Sequence, residues 1–258
     1  MRAPPLLVVR ARPEAERDAE ALSALGWRAI PCPVSRFVPT TEAPDWASAR
    51  ALALTSAKAL RAVRPCAAAL ALPVWCVGPA TAAAARAAGF RDVREGGGDG
   101  AALAARMLAA GERGPVLHLR GAEARVEPAR SLRAAGVEVI EAVVYRMQAC
   151  EALPEPAQRA LAEGGASAAV YSPRGAALLA RLAAGQAGAA GQGGAARLAG
   201  AARLAGAARL AGAAAISPAA AAPLAPLAPG LVEIAARPDG AAMRDAAARL
   251  LDRIRASR

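Results

Sequence analysis

Residues 74–81 read VWCVGPAT and give the clearest indication of the fold. The first four residues are apolar and of types that favour a strand. Glycine and proline follow, and the alanine-rich residues after them favour a helix that begins at the proline. The stretch therefore predicts a buried strand that leads directly into a helix, which is the repeating unit of parallel α/β sheets.

Similar strand-to-helix junctions recur along the chain. An apolar run precedes Thr55-Ser56, another precedes Ser172-Pro173 and a third precedes Ser217-Pro218. The spacing also repeats, because Asp99 follows Gly78 at nearly the distance at which Asp239 follows Ser217, and both aspartates begin the sequence DGAA. We therefore predict two similar α/β halves, each with a parallel sheet.

One segment breaks this symmetry. The sequence AARLAG occurs three times in succession, at residues 195–212. On a helix each six-residue step rotates the arginine by about 120° relative to the one before it, so the three arginines share no face and a coiled coil is not expected. We predict a mobile, partly helical surface insertion at about residues 185–212, with no role in the chemistry.

The amino-acid composition and the net charge limit the functions that the protein can have. The 258 residues include 32 basic and 21 acidic side chains, a net charge of +11, and Lys58 is the only lysine. The arginine excess fits either a coding bias or a surface selected for an anionic ligand. Nucleic acid is a weaker candidate, because no arginine run is interleaved with aromatic side chains. The four separated cysteines indicate reduced thiols in a cytoplasmic protein, and no apolar stretch predicts a membrane span.

Two other features have ordinary structural interpretations. His118 is the only histidine and lies in the apolar run VLHL, so we expect a core or strand-end residue rather than a metal ligand or a catalytic base. Residues 96–101 nearly match the dinucleotide-binding fingerprint, but the strand before them is weak. A loop that leads into a helix is the expectation there.

The strand-to-helix junctions carry the strongest functional signal. In a parallel sheet they all lie at one edge, and the free N–H groups at helix starts bind anions. Any one junction is explained by ordinary helix capping. Two sets of junctions, one in each half and facing a shared cleft, would suit a large ligand with many carboxylates.

The chain contains six short segments in the order VVRARP, TSAKA, VGPATA, VY, YSP and ISPAAA. In this order they resemble the uroporphyrinogen-III synthase family. The best local match is VGPATA, which resembles the Val-Gly-x-x-Thr-Ala helix start of that family. VVRARP resembles its opening strand and Thr-Arg-Pro, with Ala11 in place of threonine, and TSAKA resembles its Thr-Ser-Ala-Asn-Ala, with Lys58 in place of asparagine. Val144-Tyr145 resembles its Val-Tyr pair, YSP resembles its Phe-Ser-Pro, and ISPAAA resembles the partner helix start without the threonines of some relatives. The matching stretches are residues 8–13, 55–59, 77–82, 144–145, 171–173 and 216–221.

The resemblance implies an α/β fold of two similar parallel-sheet, flavodoxin-like domains joined by a two-stranded β linker. On this basis the first domain combines residues 1–33 with 149–258, and the second is residues 39–141. The linker strands are residues 34–38 and 142–148, and a two-strand hinge would let a cleft open and close around the substrate.

The resemblance also implies a function. The family cyclises hydroxymethylbilane with inversion of the last pyrrole ring and loss of water, giving uroporphyrinogen III in heme biosynthesis, and needs no cofactor. We expect Tyr145 to be catalytic, as a hydrogen-bond donor to the departing hydroxyl group. The residues expected to bind substrate carboxylates are Arg12, Ser56, Gly78, Thr81, Arg120, Ser172 and Ser217.

Partners and alternatives follow from the same resemblance. We expect a cytoplasmic monomer that binds neither nucleic acid nor membrane, and the preceding pathway enzyme, hydroxymethylbilane synthase, is a candidate partner. The same fold could serve a non-catalytic protein that binds a polycarboxylate small molecule, and fold alone does not separate the two. Binding of nucleic acid through the arginine-rich surface is a third alternative, which predicts affinity that falls steeply with salt.

Overall fold

A computed structural model describes residues 3–123, 126–188 and 208–257. Its contacts divide the chain into two compact units: unit 1 is Met1–Arg36 with Gln148–Arg258, and unit 2 is Phe37–Met147. The chain crosses from one unit to the other inside two strands, Ser35–Pro39 and Val139–Ala149, which are neighbours in one sheet.

The strands, in chain order, are β1 Pro5–Val9, β2 Arg28–Pro31, β3 Ser35–Pro39, β4 Ala51–Leu54, β5 Val74–Cys76, β6 Val93–Glu95, β7 Val116–Gly121, β8 Val139–Ala149, β9 Ser167–Val170, β10 Gly212–Ala215 and β11 Leu231–Ile234. The helices are α1 Glu14–Ser23, α2 Lys58–Ala62, α3 Ala67–Leu70, α4 Pro79–Ala87, α5 Gly100–Ala109, α6 Ala129–Ala134, α7 Glu155–Glu163, α8 Pro173–Gly188, α9 Pro218–Ala221, a 3-10 helix Ala222–Leu227, and α10 Gly240–Ala256.

Unit 1 is built on a five-stranded sheet in the order β11-β10-β9-β1-β2, and all its paired strands are parallel. Helices cover both faces, so the central strands are apolar throughout. Leu7 and Val9 of β1 pack with residues of α7 and α8, whereas Leu6 and Val8 pack with residues of α1 and α10.

Unit 2 contains a six-stranded sheet in the order β3-β8-β7-β4-β5-β6, in which β4 to β8 pair in parallel. Alternation along β7 sends Leu117 and Leu119 to a core that includes α4 residues. Val116 faces the other core, which includes residues of α5 and α6.

The two sheets share one strand order, entered at different points of the chain. Strands β9, β10 and β11 of unit 1 correspond to β4, β5 and β6 of unit 2, and β1 and β2 correspond to β7 and β8. The repeated aspartates agree, because Asp99 accepts a hydrogen bond from Ala102 N and Asp239 accepts one from Ala242 N, each at 2.8 Å. The predicted fold, two similar parallel-sheet domains joined by two strands, is confirmed.

The predicted insertion is partly wrong. Residues 189–207 lie outside the described part of the chain, but the end of the third repeat belongs to the core of unit 1. Ala208 and Leu210 are 8% and 3% exposed, and Gly212 begins β10. A Cβ on Gly212 would stand 2.6 Å from Leu250 Cδ1, so only glycine fits there without displacing a neighbour.

The other local predictions agree with the structure. His118 is fully buried in β7, and residues 96–99 form the loop before α5. Within the described ranges, no helix is both long and apolar enough to cross a membrane.

Candidate functional site

The predicted site residues lie at the carboxyl edges of the two parallel sheets. Unit 2 carries Tyr145 with Ser56, Gly78, Thr81 and Arg120. Ser56 and Gly78 follow β4 and β5, Thr81 lies in the first turn of α4, and the other two lie in β7 and β8. Unit 1 carries the other three, Arg12, Ser172 and Ser217, after β1, β9 and β10. Ligand sites of parallel α/β sheets form at this edge.

Tyr145 is held in an aromatic stack. Its ring lies 5.2 Å from the ring of Phe37 at an interplanar angle of 25°, and the guanidinium carbon of Arg61 lies 4.8 Å from the Phe37 ring centre. Tyr145 is 9% exposed. Among the residues that the structure describes, none forms a hydrogen bond with its hydroxyl group. The phenol is thus fixed by packing and keeps its donor hydrogen for another partner.

The predicted site residues at the helix starts of unit 2 differ in how accessible they are to a ligand. The Ser56 hydroxyl accepts a hydrogen bond from Lys58 N at 3.2 Å, just before α2, which has only five residues. Gly78 precedes α4 in an extended conformation, and nothing lies within 4 Å of a Cβ built on it. Thr81 is only 6% exposed. Gly78 therefore leaves space for a ligand, while Thr81 is turned largely into the protein.

Arg120 belongs to a network that crosses the sheet of unit 2. Its NH1 group lies 2.6 Å from Glu141 Oε1, and Arg133 NH1 lies 2.9 Å from Glu141 Oε2. Burial alone would raise the pKa of Glu141, but the hydrogen bonds from both arginines hold it below its usual value. Two guanidinium groups against one carboxylate leave a net positive charge near the sheet edge.

His118 lies behind this network. Its Nδ1 lies 3.8 Å from Glu141 Oε1 and its Nε2 lies 3.4 Å from the Thr55 hydroxyl. Burial lowers the pKa of His118 to about 4, against the opposing effect of Glu141, so the imidazole is neutral near pH 7. A neutral, fully buried ring fits the structural role predicted for it.

The site residues of unit 1 are helix caps and one exposed cation. Ser172 accepts a hydrogen bond from Gly175 N at 3.0 Å, and Ser217 accepts one from Ala220 N at 3.3 Å. Arg12 pairs with Glu16 at 2.9 Å, and the arginine side chain is 71% exposed. Exposed pairs of this kind contribute little to stability, so Arg12 can exchange its partner at small cost.

Tyr171 of unit 1 belongs to a cluster of charged side chains that the sequence did not predict. The Arg10 guanidinium lies 4.7 Å from the Tyr171 ring centre and pairs with Asp18 at 2.7 Å. Burial, and then the Asp18 carboxylate, raise the pKa of Tyr171 above its usual value. The sequence analysis also did not identify three residues around Tyr145, namely Phe37, Thr40 and Gly121. They are recognised by their contacts with a neighbouring strand, and these contacts cannot be seen in the linear sequence.

The family model of uroporphyrinogen-III synthase HemD matches residues 16–244. The chain belongs to the uroporphyrinogen-III synthase family. The resemblance predicted from the ordered motifs is thereby confirmed, and with it the predicted function of a cyclising enzyme in the tetrapyrrole pathway; nothing in the comparisons supports the non-catalytic alternative. No curated protein sequence matches the chain.

Solved structures of the uroporphyrinogen-III synthase family share the fold. The chain is similar to the enzyme from Helicobacter pylori 26695, with a TM-score of 0.61 and 17% identity, covering 97% of this chain and 100% of that one. It is also similar to a mutant of the enzyme from the extremely thermophilic bacterium Thermus thermophilus, with a TM-score of 0.52, 17% identity and the same coverage. At this identity the likeness shows that the fold is shared.

Proposed function

We propose that the chain is a cofactor-independent hydro-lyase that cyclises hydroxymethylbilane with inversion of its last ring and loss of water, giving uroporphyrinogen III. The observation that carries the proposal is the family match over residues 16–244. The phenol of Tyr145, held by packing with its hydroxyl group unpaired within the described structure, supports it. We further propose that the enzyme acts in the cytoplasm as a monomer, with hydroxymethylbilane synthase as its candidate partner.

The substrate supplies most of the electronic push. The pyrrole nitrogen lone pair expels hydroxide from the hydroxymethyl carbon, the C–O bonding electrons leave with oxygen, and an azafulvene forms. Tyr145 donates a hydrogen bond to the departing oxygen as negative charge develops on it. The far ring then attacks the azafulvene carbon through its substituted carbon, which gives a spiro intermediate. The bond from that carbon to its original methylene bridge breaks, with its electrons kept by the departing ring, and leaves a second azafulvene. The free α carbon of the same ring, now inverted, attacks that methylene carbon, and the proton that this α carbon loses as the ring regains aromaticity makes water the net leaving group.

Conformational control is the larger task of the protein. Unaided, the bilane closes without inversion, so the enzyme must hold the chain with the substituted carbon aimed at the azafulvene. We propose that substrate carboxylates bind at Ser56, Gly78 and Thr81 of unit 2 and at Ser172 and Ser217 of unit 1. The serine hydroxyl groups and the open start of α4 at Gly78 favour anions, and Thr81 lies in the first turn of that helix.

Two arginines add charge in different ways. Arg12 gives up an exposed pair with Glu16, which costs little. Arg120 stays on Glu141 and contributes the net positive charge of its network rather than a free guanidinium group.

The test is isomer analysis. Purified protein receives freshly generated hydroxymethylbilane, the products are oxidised, and type I and type III uroporphyrins are separated chromatographically. We expect predominantly type III, formed faster than type I forms without protein. Only type I at the no-protein rate, from a sample shown to be folded by circular dichroism, would overturn the proposal, and tight binding in that sample would then favour the non-catalytic polycarboxylate-binding alternative.

A further inference from the structure

The strand that carries Tyr145 contains an irregularity just before it. Strands β7 and β8 pair in register up to Arg120 with Val143, and the next pair is Gly121 with Tyr145, so Val144 is an extra residue. Because side chains alternate along a strand, one extra residue reverses the face of those that follow. Ala142, Val144 and Tyr145 accordingly lie in the same core, although a regular strand would send Tyr145 to the opposite face.

Thr40 holds this irregularity in place. Its amide N donates to Val144 O at 3.0 Å and its hydroxyl group donates to Val143 O at 2.5 Å. Consecutive carbonyl groups of a regular strand point in opposite directions. One residue can therefore donate hydrogen bonds to both carbonyl groups only where the strand is bulged. After the bulge, the Tyr145 carbonyl accepts a hydrogen bond from Ala122 N at 2.8 Å, which fixes the backbone on the other side.

Gly121 makes the space in which the phenol rests. A Cβ on Gly121 would stand 2.7 Å from Tyr145 Cζ, 2.8 Å from Cε2 and 3.0 Å from the hydroxyl oxygen. The ring of Phe37 stacks on the same phenol at 5.2 Å. A side chain at residue 121 would therefore displace the end of the ring that carries the reactive hydroxyl group.

We infer that Thr40 and Gly121 are positioning residues for Tyr145: Thr40 fixes the bulge that aims the side chain, and Gly121 admits its hydroxyl end. The inference rests on the catalytic role proposed for Tyr145. Displacement of a catalytic group by about 1 Å can cost up to 10²-fold in rate, so loss of either contact lowers kcat more than it raises KM.

The first experiment compares Thr40→Val with Thr40→Ser, in the parent and in Tyr145→Phe. Valine keeps the shape and removes the hydroxyl group, whereas serine restores it. We expect Thr40→Val to lower kcat about tenfold, with KM within about twofold of the parent and a lower share of type III product. We expect Thr40→Ser to recover most of the rate, and Thr40→Val to have no further effect in Tyr145→Phe. An equal loss in both backgrounds, or no loss in the parent, overturns the inference.

A second measurement does not depend on the reaction. In Tyr171→Phe the only remaining tyrosine is Tyr145, so 3-fluorotyrosine gives one ¹⁹F resonance. We expect one narrow line that shifts or broadens in Thr40→Val and Gly121→Ala but not in Thr40→Ser. Gly185→Ala is the control, since nothing lies within 4 Å of a Cβ on that helical glycine. An unchanged line in Thr40→Val refutes the positioning role, whereas a shifted line with full activity in Tyr145→Phe refutes only the catalytic role.

Discussion

Tyr145 and Tyr171 are the two tyrosines of the chain, one in each unit, and their surroundings differ. Tyr171 lies against the Arg10 guanidinium, with the Asp18 carboxylate beside it, and its raised pKa reflects burial and that carboxylate. Tyr145 is fixed by an aromatic ring and a glycine. Two units of the same strand order thus hold one phenol within a charged cluster and the other by shape alone.

The difference indicates which phenol serves the substrate. A hydroxyl group already placed beside a carboxylate of the protein has a competing acceptor, and removing it disturbs a local cluster. A hydroxyl group held by packing keeps its donor hydrogen for the departing oxygen. The comparison makes Tyr171 the matched control for Tyr145.

Removal of each hydroxyl group should separate the two tyrosines most clearly. We expect Tyr145→Phe to lower kcat about 10³-fold, within the range for loss of a group that assists proton transfer, while KM changes little. Tyr171→Phe should retain turnover within about threefold, because it lies outside the proposed chemistry. Single-turnover kinetics with isomer analysis measure both. Equal rates in Tyr145→Phe and the parent would remove Tyr145 from the mechanism.

The next effect concerns the repeats in unit 1. Because the three copies of AARLAG are identical, deletion of any two leaves one copy that ends at the first residue of β10. That copy supplies the alanine and leucine of the core and the glycine that begins the strand. We expect this variant to keep its stability and activity. Deletion of residues 195–212 instead places Gln192 where Leu210 packs, and we expect a loss of about 3–4 kcal/mol, as for other large losses of buried leucine.

Urea unfolding of the two deletion variants measures this difference. Leu210→Ala, which keeps every repeat, is the control and should lose about 2–4 kcal/mol. If the deletion of all three copies proved as stable as the parent, the burial of Leu210 would not be the reason for keeping the last copy.

A smaller difference between the units concerns how their stability depends on pH. The chain has one histidine, in unit 2, and its pKa is about 4 in the folded protein against 6.5 unperturbed. Between these values the unfolded chain binds a proton that the folded one does not, so stability falls as pH falls from about 6.5 to 4, by about 3 kcal/mol in total. Stability should not depend on His118 above that window.

Acid unfolding followed by tryptophan fluorescence measures this dependence. Trp27 reports on unit 1, and Trp46 and Trp75 report on unit 2. In Trp27→Phe the remaining signal should show a pH-dependent midpoint that His118→Gln abolishes. A slope that persists in His118→Gln would assign it to other groups, of which Glu141 is the nearest.

The same comparison explains what the sequence could predict. The sequence predicted the strand-to-helix junctions after β4, β5, β9 and β10, because each is formed by neighbouring residues. An apolar run is followed by a residue typical of helix starts and then by alanine. The duplication was readable because Asp99 and Asp239 recur at matching distances. The bulge before Tyr145 was not, since VVY looks like any strand and Thr40 lies far away along the chain. The burial of Leu210 was not predicted either, because its repeat is identical in sequence to two others and the repeat alone does not show that this copy leads into β10.

Loss of a helix cap should change stability least, and it tests whether the repeated sequence DGAA stabilises both units equally. Asp99 and Asp239 each accept a hydrogen bond from an amide three residues ahead, at 2.8 Å, and each begins a helix that covers its sheet. Asp99→Ala should lower the stability of unit 2 by about 1 kcal/mol, and Asp239→Ala should lower that of unit 1 in the same direction. Asparagine keeps the acceptor, so Asp99→Asn and Asp239→Asn should recover most of each loss. Thermal unfolding with the unit-specific tryptophans reads the two separately. A loss at one aspartate only would mean that the repeated DGAA has kept its capping role in one unit, and that the symmetry of the fold no longer extends to its energetics.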